Sequence, residues 1–269
     1  MLPFLSEREA ENCLPIGILA TPGLEARDRH LGLVEAGGEV VGVALMTPPA
    51  ALLIAAGTRP SALGALVDDL ATSPFPVSGV MGPTDLAGAF ADAWCAETGC
   101  SARHAMAERI YQLEAVRPTP GAPGGIRRAT QADRPLLIEW LDAFAREALG
   151  EADLAAAGEI ADRYLAGPAS VRGLFLWDID GTPVSMAGIA GPTPNGIRVN
   201  AVYTPPRLRG RGYATACVAE LSRAQLRVGR RYCFLFTNLA NATSNEIYQR
   251  IGYVAVGDVD RYEFSAPTS

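Results

Sequence analysis

Val202-Tyr-Thr-Pro-Pro-Arg207-Leu-Arg209-Gly210-Arg211-Gly212-Tyr213-Ala-Thr215 is the stretch on which the reading of this 269-residue chain turns. Before it, Gly196–Thr204 has the apolar, β-branched character of a strand. After it, Tyr213–Val228 places Cys217, Val218, Leu221, Ala224 and Val228 along one helical stripe. The chain therefore passes from strand to helix through a turn holding two glycines and three arginines. Gly210 and Gly212 permit a tight turn and a close approach of backbone to ligand. The unpaired amides at the helix start, with the positive end of the helix dipole behind them, suit a pyrophosphate.

Two ligands compete for such a turn. A dinucleotide fingerprint needs a third small residue where Thr215 stands, and an acid about 20 residues on. No acid occurs between Glu220 and Glu246. The alternative is coenzyme A. Farther along lies Asn241-Ala-Thr-Ser244-Asn245-Glu-Ile-Tyr248-Gln-Arg250-Ile-Gly252-Tyr253. Arg207-x-x-Gly210-x-Gly212 resembles the coenzyme signature of the GNAT superfamily of acyl-CoA N-acyltransferases, and the later stretch resembles that family's second motif. They stand in the family's order, with a helix and a strand between them. The resemblance covers about residues 126–264.

It implies an N-acetyltransferase that moves an acetyl group from acetyl-CoA to a primary amine by direct attack, with no metal. Carried over by position, the strand end Val202, Tyr203 and Thr204 would bond the pantetheine arm. Arg207 belongs to the signature. The amides of Leu208, Arg209, Gly210, Arg211, Gly212, Tyr213 and Ala214, with the Thr215 hydroxyl, would hold the pyrophosphate. Asn241 and Ser244 would line the coenzyme channel. Tyr248 matches the tyrosine near the thioester sulfur and is the candidate acid, since a phenol can protonate a departing thiolate. Glu147 is the candidate base, with a water chain as the alternative. Each residue has a plainer reading: Tyr248 as a core aromatic, Asn241 as a helix cap, Glu147 as an exposed helix carboxylate.

Composition narrows the remainder. The 23 basic residues are all arginine, and 29 acids leave a net charge of −6. Lacking lysine, the chain cannot form a Schiff base or carry a Walker lysine. Net acidity argues against nucleic acid as partner. The longest aliphatic run, Ala50–Ala56, is far short of the ~20 residues of a membrane helix. Acids near the start argue against a leader, so a cytoplasmic enzyme is expected. Five cysteines are read as small buried hydrophobes, and Cys95 and Cys100 have neither metal-ligand nor redox spacing. Charge is uneven: eight arginines and one acid fall between Ile197 and Arg231. The expected partner is a small-molecule or peptide amine, bound by a monomer or homodimer. An acceptor wall is sought in the small-residue stretch Ser185–Gly196.

Residues 117–125, Arg-Pro-Thr-Pro-Gly-Ala-Pro-Gly-Gly, cannot continue a helix or a central strand. Both sides of that stretch read as strands alternating with helices. The expectation is α/β: two GNAT-like mixed-sheet domains in tandem, each a twisted central sheet flanked by helices. Residues 1–117 would be a degenerate copy, 118–125 a linker and 126–269 the catalytic domain. On the first side, strands are expected at Leu31–Ala36, Val40–Met46, Ala51–Ala56, Val77–Met81 and Ile110–Val116. Helices are expected at Ser61–Thr72 and Asp85–Thr98. On the second side, a capping box at Thr243-x-x-Glu246 is expected to open a short helix, and two short strands, Val254–Val256 and Arg261–Phe264, to close the chain.

Overall fold

The computed structural model describes residues 1–21, 29–150, 153–168 and 170–266. The chain divides into two compact units that interleave in sequence. The first holds Met1–Ile110, Thr237–Ala240 and Ala255–Ser269, and the second Tyr111–Phe236 and Asn241–Val254. The division therefore does not fall at residues 118–125. The cause is strand pairing. The chain's last strand hydrogen-bonds to a strand of the first unit, and residues 111–117, ahead of the proline-rich stretch, fold with the second.

In the first unit, two short helices, α1 (Leu2–Ser6) and α2 (Cys13–Leu19), precede a hairpin of β1 (His30–Ala36) and β2 (Glu39–Met46). Its turn, Gly37-Gly38, uses positive φ at both residues. A short β3 (Leu52–Ile54) leads to α3 (Leu63–Ala71), β4 (Gly79–Pro83), α4 (Thr84–Thr98) and β5 (Ser101–Leu113). The last strand, β11 (Val254–Ser265), is continuous where two short strands were expected. Strand order is β1-β2-β3-β4-β11-β5. β3 and β4 are parallel, and β4 and β11 antiparallel. Leu66, Leu70, Phe90 and Trp94, from α3 and α4, pack on Met46, Leu52 and Val80 to form this unit's core.

β5 starts nine residues before its expected beginning at Ile110. Its early residues mix small apolar and charged side chains and lack the β-branched character of a strand. Side-chain contacts to β11 hold them: Arg103 forms an ion pair with Glu263 and Arg109 with Asp258 at 2.7 Å, and His104 lies 3.3 Å from Asp260.

In the second unit, β6 (Gly125–Arg128) precedes α5 (Arg134–Leu149) and α6 (Leu154–Ala166). Then follow β7 (Arg172–Ile179), β8 (Thr182–Pro192) and β9 (Gly196–Tyr203), α7 (Tyr213–Arg227), β10 (Tyr232–Asn238) and α8 (Ala242–Ile251). β6 to β9 form antiparallel pairs, and β9 with β10 a parallel one. Asp180 and Gly181, both at positive φ, make the two-residue turn between β7 and β8. α5 and α6 cover one face of the sheet through Leu137, Trp140, Leu141 and Tyr164. α7 and α8 cover the other through Cys217, Val218, Leu221, Tyr248 and Ile251. Among the described residues, no helix is long and apolar enough to cross a membrane.

Candidate active site

The parallel ladder between β9 and β10 is short. It joins Gly196, Ile197 and Arg198 to Tyr232, Cys233 and Phe234, yet β9 runs on to Tyr203. Beyond Arg198, the edge of β9 that faced β10 carries no ladder to it. The other edge is also perturbed. Met186 pairs with Tyr203 and Gly188 with Asn200, so one β8 residue opposes two of β9. Ala201 at this bulge has φ +47, a conformation a non-glycine residue rarely takes. Such a bulge re-aims backbone groups, and it lies beside Val202, Tyr203 and Thr204, where bonding to a ligand was expected.

The turn follows. Pro206–Leu208 forms one 3-10 turn, Arg209 is extended, and Gly210 and Gly212 have φ +76 and +79. A Cβ at either glycine would meet nothing within 4 Å, so backbone conformation alone selects glycine here. Gly212 is the N-cap of α7 and supplies no side chain to cap it. The Leu208 amide donates to Pro205 O at 2.8 Å and that of Arg209 to Pro206 O at 3.3 Å. Those two amides are already used, which narrows the expected anion cradle to Gly210 through Thr215. The first amides of α7 lack intrahelical partners by construction, and Ala216 is the first whose amide returns, to Gly212 O at 3.0 Å. The side chains of Tyr213 and Thr215 are buried.

The arginines do not act as one cluster. Arg209 Nε donates to Thr204 O at 2.8 Å, and its Nη2 to Glu147 Oε2 at 2.6 Å. Its guanidinium also lies 5.8 Å from the Tyr203 ring centre. It straps the end of β9 to α5 and does not reach out to a ligand. Arg223 and Arg227 pair with Glu220. Arg230 donates to Gly196 O at 2.9 Å, and Arg231 lies over the Tyr232 ring. At the turn, Arg207 and Arg211 are exposed and make no ion pair or hydrogen bond among the described residues. They are the charges left for an anion. Glu147, the candidate base, is exposed and accepts from Arg209.

Asn241 caps α8: its carboxamide oxygen accepts from the Ser244 amide at 3.0 Å. The helix starts at Ala242, so the cap is Asn241 and not the Thr243–Glu246 box. The Asn241 oxygen therefore serves the helix, while its Nδ2 carries no bond among the described residues, and Ser244 is half-buried beside it. Tyr248 is 7% exposed, with ring centres of Tyr111 at 6.4 Å and Tyr253 at 6.0 Å. Burial pushes its phenol well above the ordinary value, so it holds its proton. Its hydroxyl makes no hydrogen bond among the described residues, whereas that of Tyr253 is bonded to Ser222 Oγ at 2.8 Å. Tyr248 is thus a core aromatic with an unused proton donor.

One participant escaped the sequence reading. Tyr111 donates to Asn245 Oδ1 at 3.0 Å and accepts from Gln249 Nε2 at 2.9 Å, which ties α8, and Tyr248 with it, to Tyr111. It lies ahead of the proline-rich stretch, among residues assigned to the other domain, and no motif marks it. The stretch Ser185–Gly196 begins inside the sheet. Residues 185–191 lie in β8 and are buried. A Cβ on Gly188 would come 2.7 Å from Asn200 Oδ1 and 3.1 Å from Leu174. Packing inside the sheet explains the glycine at 188. Among the described residues, no group of acids, histidines and cysteines could hold a metal.

Residues 135–253 match the model of the acetyltransferase (GNAT) family. No curated protein matches the chain. Among solved structures, a GCN5-related N-acetyltransferase from Kribbella flavida is similar at 17% identity and TM-score 0.63, covering 95% of both chains. A GNAT-family acetyltransferase from Colwellia psychrerythraea is 12% identical at TM-score 0.58, covering 98% of this chain and 97% of that one. A GCN5-related N-acetyltransferase from Sphaerobacter thermophilus is 18% identical at TM-score 0.58, covering 92% and 84%. At these identities the likeness establishes a GNAT-like fold. The family match at residues 135–253 and the GNAT-like fold thus fall on the same part of the chain.

Proposed function

We propose that the second unit transfers an acetyl group from acetyl-CoA to a primary amine. One observation carries this reading. The end of β9, released from β10, runs directly into a turn where, among the described residues, the amides from Gly210 to Thr215 and the side chains of Arg207 and Arg211 are unspent. A strand edge followed by an anion cradle fits an extended pantetheine arm followed by a pyrophosphate.

Val202 to Thr204 would hold the arm through their backbone, as in the pairing of an added strand. The turn amides would hold the pyrophosphate and fix the thioester near the bulge. The amine attacks the thioester carbonyl, a C–N bond forms and the C–S bond breaks. Tyr248 gives its proton to the departing sulfur. Burial keeps it protonated at neutral pH, so it has a proton to share with the sulfur as the C–S bond breaks. The amine's own proton leaves through water, since Glu147 is engaged by Arg209.

The first unit fits a degenerate copy of the same design. Its order β1-β2-β3-α3-β4-α4 repeats β7-β8-β9-α7-β10-α8, including the parallel pair around a helix. Its corresponding turn spends its amides internally. Ala55 donates to Val43 O, Thr58 to Ala55 O and Arg59 to Val41 O, while Ala56 donates to the buried Asn12 side chain at 2.8 Å. This supports one coenzyme site per chain.

Thermal shift with acetyl-CoA, followed by thiol release across a panel of amines, tests the proposal. A ligand at 100 times its Kd should stabilise by about 2.7 kcal/mol. No shift at millimolar acetyl-CoA sinks the coenzyme reading. Binding without thiol release across a broad panel sinks the catalytic one.

A further inference from the structure

Cys95 lies in the last turn of α4, and Cys100 follows the glycine that ends it. Gly99 takes φ +72 and donates its amide to Cys95 O at 2.9 Å. The chain folds back there, and Cys100 returns over Cys95. Their sulfurs lie 2.6 Å apart, near the ~2.05 Å of a covalent bridge. Both side chains are half-buried, whereas Cys13, Cys217 and Cys233 are buried. The sequence spacing suggested no redox pair, yet a helix end in left-handed conformation makes one.

We propose that Cys95 and Cys100 are a reversible dithiol that exchanges with low-molecular-weight disulfides to form a bridge across the α4–β5 corner. The thiolate of one cysteine attacks a sulfur of the small disulfide and expels one small thiol. The second cysteine gives its proton to solvent, attacks the mixed disulfide and expels the other. Two protein thiols and one small disulfide thus become one protein disulfide and two small thiols. Burial, with the hydrogen bond to Cys100, pushes the Cys95 thiol up to about 11, so the first attack falls to Cys100 and Cys95 resolves. The bridge would pin the start of β5, the strand whose far end supplies Tyr111. This site is independent of the acyl-transfer reading.

The test uses the native protein equilibrated in reduced and oxidised glutathione, quenched in acid, alkylated after denaturation and digested with trypsin. Cleavage falls only after arginine, and Pro60 protects the bond after Arg59. One peptide, residues 30–103, therefore holds Cys95 and Cys100 and no other cysteine. The expected result is that this peptide loses two hydrogens and takes no alkyl group, while Cys13, Cys217 and Cys233 are each alkylated. The oxidation equilibrium of the native pair should exceed that of the urea-unfolded chain by about tenfold or more. Cys95→Ser should instead trap glutathione on Cys100. Alkylation of both cysteines after equilibration overturns the proposal. So does a native pair no easier to oxidise than the unfolded one, or a stable glutathione adduct on the wild type.

Discussion

Tyr248→Phe separates catalysis from packing in one substitution. The ring stays, with its neighbours Tyr111 and Tyr253 at 6.4 and 6.0 Å, and only a hydroxyl with no hydrogen-bond partner among the described residues is removed. That hydroxyl is not among the buried polar atoms lacking a partner, so it is open to water, and its removal should change stability by less than about 1 kcal/mol. For a chain of this size that is a Tm change of no more than about 2–4 °C. If the same hydroxyl protonates the departing thiolate, kcat should fall by roughly 10²–10⁴. That corresponds to about 3–5 kcal/mol of transition-state stabilisation. The coenzyme's KM should hold, because its phosphates are assigned to Gly210–Thr215. Thiol release with an amine that supports wild-type turnover gives the rate, and a thermal scan gives the stability. A kcat within about twofold of wild type refutes the acid assignment, since the expected loss is at least about 10². A Tm fall of more than about 4 °C refutes the account of an unpartnered hydroxyl, because about 1 kcal/mol moves Tm by 2–4 °C.

Three further outcomes follow from the same geometry. Arg207→Ala with Arg211→Ala should raise the Kd for coenzyme A by about three- to tenfold without moving Tm, whereas Arg209→Ala should lower Tm by about 2 °C and leave Kd within about twofold, as befits an exposed strap; calorimetry and thermal scans compare them. Gly212→Ala meets no atom but forces a Cβ onto φ +79, at about 1–2 kcal/mol, and should weaken coenzyme binding in proportion to the turn's distortion; unchanged stability would show that the turn is not left-handed in solution. Stability should fall on both sides of a broad neutral plateau, as measured by denaturant melts across pH. On the acid side, the Arg127 hydrogen bonds hold Asp133 at about 2 against 3.8 ordinarily, so its contribution is present above 3.8 and lost as pH falls towards 2. On the alkaline side, burial raises Cys217 and Cys233 from 9.0 to about 12, and it raises Tyr248 and Tyr253 from 10.0, so stability fades as pH climbs through and beyond pH 9–10.

What the sequence disclosed was local. Gly210 and Gly212 are legible because only glycine takes φ near +80 at no cost. Asp180-Gly181 is legible as a two-residue turn for the same reason. What it concealed was decided by partners far along the chain. Ser101–Arg109 is a strand because it pairs with β11, whose Glu263, Asp260 and Asp258 contact its Arg103, His104 and Arg109, and no window around it contains that partner. Arg209 belongs to a phosphate motif by position, yet Glu147 and the Thr204 carbonyl claim it. Asn241 looked like a channel residue and spends its oxygen on the helix it begins. Tyr111 could not be found from its own neighbourhood, since its partners Asn245 and Gln249 are more than 130 residues away.

The membership of residues 255–265 in the first unit has a consequence for synthesis. β4 receives its antiparallel partner from a segment translated after the whole of β6 to α8. On the ribosome, domains ordinarily mature from the N-terminal end. Here the order is inverted. The nascent chain can assemble the sheet holding β6 to β10 while the first half still carries an open edge at β4. The half made first is finished last, and until then that edge is the place where a growing chain is open to mispairing with its neighbours on the same message.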